Sequence, residues 1–159
     1  MIETSIHTAL QESVQDVLEK MFFIELDPEA AGQGESEAEI CAQVSFHGDP
    51  SGALTLRVTS REARSVAADF LGADADELSD RQISEVICEL ANMICGSVLS
   101  RVESTTTFQL AEPAIVSAAS AHQLPDGALS HVVRLSGGSL TVVLETEPLS
   151  CPVQEKSAS

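Results

Sequence analysis

The stretch Glu85-Val86-Ile87-Cys88-Glu89-Leu90-Ala91-Asn92-Met93-Ile94-Cys95-Gly96 carries two patterns at once. At about 100° per residue, Ile83, Val86, Ile87, Leu90, Ile94 and Val98 gather on one side of a helix. Glu85, Glu89, Asn92 and Gly96 fall within about 60° of each other on the opposite side. The apolar side is expected to dock on a sheet and the polar stripe to face out. Just upstream, Ser79-Asp80-Arg81-Gln82 has the Ser-x-x-Gln spacing of a capping box, which opens the helix. No Gly or Pro interrupts it before Gly96, so it is expected to run to about Arg101.

Working outward toward the N-terminus, Thr59-Ser60-Arg61-Glu62 repeats the capping-box spacing and predicts a shorter helix ending near Gly72. Before it, Ile40, Ala42, Val44 and Phe46 alternate with polar neighbours. Leu54, Leu56 and Val58 do the same, and His47-Gly48-Asp49-Pro50-Ser51-Gly52 between them is rich in turn formers. These two runs predict a hairpin with one buried face. Ile6 to Phe22 has apolar residues at spacings of three and four and predicts an amphipathic helix. The acidic stretch from Asp27-Pro28 to Glu39 is expected to be a solvated loop.

Beyond the long helix, the pattern turns to strands. Thr105 to Leu110 is β-branched, and Ala114 to Val116 follows Pro113. His131 to Leu135 and Leu140 to Leu144 flank Ser136-Gly137-Gly138-Ser139, a hairpin signal. The predicted order is α-β-β-α-α-β-β-β, with room for one more strand. Hairpin strands among helices predict an α+β domain over residues 1–147, with 148–159 as a frayed tail.

Composition narrows the partners. Net charge is −17, so the surface repels phosphate backbones and anionic lipid. Nucleic acid and membrane are therefore poor partners, and a basic protein surface is a good one; acidity also serves solubility alone. Aromatic residues make up only 3%, so the core must be aliphatic. Cys41, Cys88, Cys95 and Cys151 are widely spaced, without a zinc or disulfide pattern. Neither a signal peptide nor an apolar run of about 20 residues is visible, which fits a reducing cytoplasm. The four histidines have no metal spacing. Ser136-Gly137-Gly138-Ser139 lacks the helix and Lys of a phosphate loop.

The polar stripe has an ordinary explanation, because any helix on a sheet shows one. Two of its residues fit that explanation badly. Asn is a mediocre interior helix residue, since its side chain competes for backbone groups. Gly costs roughly 1 kcal/mol relative to Ala in a helix interior. Both penalties fall where core packing does not ask for them. A residue without a side chain beside a polar pair lets another molecule's backbone approach closely.

The run from Glu85 to Gly96 resembles the motif of the CheX, CheC and FliY phosphatases of bacterial chemotaxis. The shared pattern is an acidic or Ser residue, Glu-x-x-Asn, and Gly four residues later. Leu90-Ala91-Asn92-Met93-Ile94 is especially similar to CheX-like domains, and the element order is compatible over residues 2 to 146. Two positions depart from the pattern: Glu85 stands where Asp or Ser is usual, and Cys88 where a small residue is common. A single Glu-x-x-Asn resembles the one-site CheX type.

The resemblance implies hydrolysis of an aspartyl phosphate on a CheY-like response-regulator receiver. The receiver would supply Mg²⁺ and a Lys, and the phosphatase needs no cofactor of its own. Asn92, neutral and able to donate and accept hydrogen bonds, would orient the attacking water. Glu89 would pair with the receiver's Lys. Glu85 and Gly96 would be partner contacts, and homodimerisation through a sheet edge is also implied. Two alternatives remain open at this stage: a binding module that docks a receiver without catalysis, and a structural role like that of flagellar-switch relatives.

Overall fold

Ile40, Ala42, Val44 and Phe46 point to one side of strand β1, Glu39–His47, and Leu54, Leu56 and Val58 to the same side of β2, Gly52–Thr59. Six of these seven side chains are aliphatic, as expected of a chain so poor in aromatics, and the seventh, Phe46, brings a buried ring into the core. The structure is a computed structural model that describes residues 2–21, 39–48, 51–101, 107–116, 128–135 and 138–146. The predicted acidic loop lies outside the described residues except for Glu39, which begins β1 and is not loop, and the tail from residue 148 also lies outside them.

The first helix, α1, spans Ile2–Asp16 and continues into a π-helical turn, Val17–Met21. It begins four residues before the predicted start at Ile6 and buries Ala9, Leu10, Val14, Val17 and Leu18. After the β1–β2 hairpin, α2 covers Ser60–Leu71 and ends on Gly72, whose φ of 66° is the left-handed cap that glycine takes without steric cost. The expected capping box at Thr59 is only half realised. Thr59 stands at the N-cap, but its hydroxyl makes no cap bond there. A 3₁₀ turn, Ala75–Glu77, leads to α3, Asp80–Arg101.

Four strands follow: β3 Gln109–Leu110, β4 Ala114–Val116, β5 Leu129–Leu135 and β6 Gly138–Thr146. That is one strand more than the minimal predicted order. β3 and β4 are two pieces of one edge strand on β1. Phe46 pairs with Leu110, and Gln43 with Ala114, so three residues on this side oppose two on β1. This is a β-bulge, anchored by the Ala111 N–H donating to the Ser45 carbonyl at 2.8 Å. Pro113, with no N–H to offer the ladder, sits in the bulge. Of the predicted strand Thr105 to Leu110, residues 105–106 lie outside the described residues, and only Gln109–Leu110 is strand.

The sheet runs β3-β1-β2-β6-β5, with β4 beside β3 on the same edge, and every pairing is antiparallel. Gly52 opens β2 where it passes β6. A Cβ there would lie 2.0 Å from the Glu145 carbonyl oxygen, so the close approach demands glycine. The three helices share one face, where their apolar sides merge with the inward strand residues into a single core. The second face was expected to be open. Ser45 and His47 are exposed there, but Cys41, Thr55 and Val143 near its centre are buried.

By length and composition α3 is apolar enough to cross a membrane, which corrects the expectation that no stretch would be. Half of that apolar stretch is buried inside the protein, as in the core helix of a folded domain. Nine of its residues, from Ile83 to Leu99, are buried. Each fully buried Leu or Ile contributes roughly 1.5–3 kcal/mol, which fixes the helix and leaves its other side free for a task.

Candidate functional site

The start of α3 is set by the reciprocal cap the sequence predicts. Ser79 N–H donates to Gln82 Oε1 at 2.9 Å, and Gln82 N–H donates to Ser79 Oγ at 3.1 Å. Two otherwise orphaned donors are satisfied, so the helix phase is fixed from its first turn. The far end is held by Arg101. Its guanidinium donates to Ser13 Oγ at 2.9 Å and to Ser97, and pairs with Asp16 at 2.5 Å. Arg101 thereby ties α3 to α1.

Between these two anchors lies the polar stripe. Glu85 and Glu89 are exposed, and Asn92 and Gly96 are half-buried. Ile87, Leu90, Ala91 and Ile94 on the opposite side are fully buried. The structure therefore brings the four predicted residues to one exposed strip. Glu85 is the least free of them: its Oε2 accepts from Arg81 Nε at 3.1 Å, one turn earlier. Both partners are largely exposed, so this pair is worth only about 0.3–0.5 kcal/mol and yields easily to a better one. Among the described residues, no hydrogen bond or ion pair engages Glu89 or the Asn92 amide. The Asn92 amide thus keeps its donor and acceptor capacity for another molecule.

Gly96 has a different meaning from Gly52. A Cβ built at Gly96 meets nothing within 4 Å. The chain's own packing leaves room for a larger residue, so the helix bears the cost of glycine without an internal reason.

Beside the first half of the stripe is an open groove of about 390 Å³, lined by Phe70, Leu71, Gln82, Glu85, Val86 and Glu89. The predicted site did not include Phe70 and Leu71. Their spacing from Val66 and Ala67 continues the buried stripe of α2, so by pattern they read as core. The only available sign was their place directly before the Gly72 cap, where a helix leaves its packing surface.

The thiols are quiet. Cys41, Cys88 and Cys95 are free. Burial pushes the Cys95 thiol up to about 12, and burial, then Glu85, raises that of Cys88. None is poised as a nucleophile at neutral pH. Among the described residues, no cluster of His, Cys, Asp and Glu is arranged to hold a metal.

The family described as chemotaxis phosphatase CheX matches residues 40–136, more than half of the chain. The chain belongs to the CheX family. The matched span runs from the first strand through α3 to the β5–β6 junction, so it contains the whole stripe. No curated protein matches the chain in sequence. Solved structures share the fold at low identity. CheX of Borrelia burgdorferi, crystallised as a CheX–CheY–BeF3–Mg²⁺ complex, is 16% identical with a TM-score of 0.73, covering 89% of this chain and 97% of that one. CheX of Desulfovibrio desulfuricans is 23% identical with a TM-score of 0.67, covering 89% and 99%. CheX of Vibrio vulnificus is 16% identical with a TM-score of 0.72, covering 92% and 99%. The α+β, CheC-like architecture expected from the sequence is the one found.

Proposed function

We propose that this CheX-family chain dephosphorylates a CheY-like response-regulator receiver, with Asn92 orienting the attacking water and Glu89 docking to the receiver's active-site Lys. The observation that carries this reading is the pairing of an exposed carboxylate with an amide one turn later on a rigid helix, neither of them engaged by another described residue. Phosphoryl transfer needs mostly positioning and charge stabilisation. The receiver brings Mg²⁺ and its Lys to the phosphoryl oxygens. Water attacks phosphorus in line, the phosphorus bond to the aspartyl oxygen breaks, the carboxylate is regenerated on the receiver, and inorganic phosphate is released. Asn92 accepts one hydrogen bond from that water and holds its lone pair toward phosphorus. An amide does not titrate near neutral pH, so its task is orientation and not proton removal.

The Borrelia CheX was captured with CheY, BeF3 and Mg²⁺, which supports a receiver carrying Mg²⁺ as the partner here. A cytoplasmic setting goes with such a partner. Homodimerisation, which the resemblance implies, would use β5 as its edge strand. Docking without catalysis would need the carboxylates alone, and the Asn92 amide speaks for catalysis. The test is the decay of phosphorylated receivers from the same cell, with and without substoichiometric protein. Asn92→Ala should slow turnover by about 100-fold or more, because a displacement of ~1 Å costs that much. Wild-type turnover by a folded Asn92→Ala variant would refute the role given to Asn92.

A further inference from the structure

The groove beside the stripe has one wall that phosphate chemistry does not use. Phe70 and Leu71, consecutive at the end of α2, are 39% and 44% exposed. They follow Val66 and Ala67 at helical spacing, and those two are fully buried. Among the described residues, the other exposed large hydrophobics, Leu110, Ile115 and Val132, lie on strands and do not adjoin the stripe's groove. The α3 side of the groove is acidic, lined by Glu85 and Glu89 together with Gln82 and Val86. Thus apolar and anionic surfaces meet along one groove, and its acidic wall is the first half of the Glu85–Gly96 strip.

We propose that this groove is the second contact with the receiver and sets its affinity: it takes a segment presenting an aliphatic side chain beside Lys or Arg. The aliphatic group covers Phe70 and Leu71, and the cation displaces Arg81 from Glu85. Charge complementarity selects such a segment, because the surface is strongly acidic and the Glu85–Arg81 pair is exposed and weak. Position selects the receiver as its owner, because a molecule seated on Glu89 and Asn92 already lies over the groove's acidic wall. The inference rests on the phosphatase reading for the identity of the partner.

The test separates binding from turnover. Phosphorylated receiver is titrated against catalytic amounts of wild-type protein, Leu71→Ser, Phe70→Ser and Val132→Ser. Truncating a central apolar contact typically weakens an interface by roughly 10-fold or more. Leu71→Ser and Phe70→Ser should raise KM by that order with kcat nearly unchanged, and Val132→Ser on β5 should change neither. If Phe70→Ser lowers the melting temperature, the milder Leu71→Ala carries the same test. An unchanged KM in folded Leu71 variants, with the wild type active, overturns the groove and leaves the phosphatase reading standing. If the wild type binds a receiver without accelerating its decay, the phosphatase reading falls, and Kd for the same variants decides the groove. If it neither binds nor accelerates any receiver, both fall.

Discussion

Gly96→Ala should make the protein more stable and less active, and the structure fixes both signs. Gly96 sits inside α3, two residues before buried Val98, and a Cβ there meets nothing within 4 Å. The substitution therefore adds no clash and removes the entropic cost of glycine, a gain of about 1 kcal/mol. For a domain of this size that is about 2–4 °C in Tm. On the proposed interface the added methyl would occupy space that a docked receiver would need. If Asn92 orients the water as proposed, a displacement of ~1 Å there costs about 100-fold in turnover. Thermal or urea unfolding measures the first effect, and receiver dephosphorylation at saturating substrate the second. Gly52→Ala is the internal contrast: its Cβ would collide with the Glu145 carbonyl, and it should lose roughly 1–3 kcal/mol. A Gly96→Ala variant that is stabilised yet fully active would show that the glycine is not reserved for a partner. A destabilised one would show that the space around it is not open.

Other predictions follow from the same coordinates. Arg101→Ala leaves the fully buried Ser13 hydroxyl without its donor and unties α1 from α3, and should cost about 1–2 kcal/mol in urea unfolding. His131 is held below the usual imidazole range by burial and then by His7, so the unfolded chain takes up its proton first. Its share of stability is full above pH ~6.5 and falls as pH drops through the folded value. Replacing His131 with Gln should flatten the melting temperature between pH 7.5 and 5.5. Cys95, with its thiol pushed up to about 12, should resist alkylation at pH 8 until the chain unfolds, as site-resolved mass spectrometry would show.

The long helix was legible because its two faces are written at one period. Buried Ile87, Leu90 and Ile94 and exposed Glu85 and Glu89 alternate sides as the spacing requires, and the Ser79–Gln82 cap is a local bond between residues three apart. The bulge between Leu110 and Ala114 was not legible. It is defined by a register against β1, some seventy residues away, and local alternation carries no register information. Phe70 and Leu71 were not singled out, for a related reason. Periodicity tells which way a side chain points, but not whether the neighbouring element extends far enough to cover it. Thr59 shows the limit of a motif: the spacing of a cap was present, and its hydrogen bond was not.

A core helix that also carries the proposed receiver-facing strip places two demands on one element, and α3 meets them by keeping them on separate faces. Its nine buried residues hold the helix rigidly against β1 and β2, with Ser79–Gln82 and Arg101 fixing its two ends. The strip takes no part in that support: Glu89 and Asn92 make no bond to the rest of the described protein, and Gly96 fills no gap. Function at those positions should therefore be separable from stability. Glu89→Gln, Asn92→Ala and Gly96→Ala ought to lie within about 1 kcal/mol of the wild type in unfolding, while differing by orders of magnitude in turnover. Core changes such as Leu90→Ala should lose about 2–5 kcal/mol. A strip variant whose loss of activity simply tracked its loss of stability would mean that the strip is part of the scaffold after all.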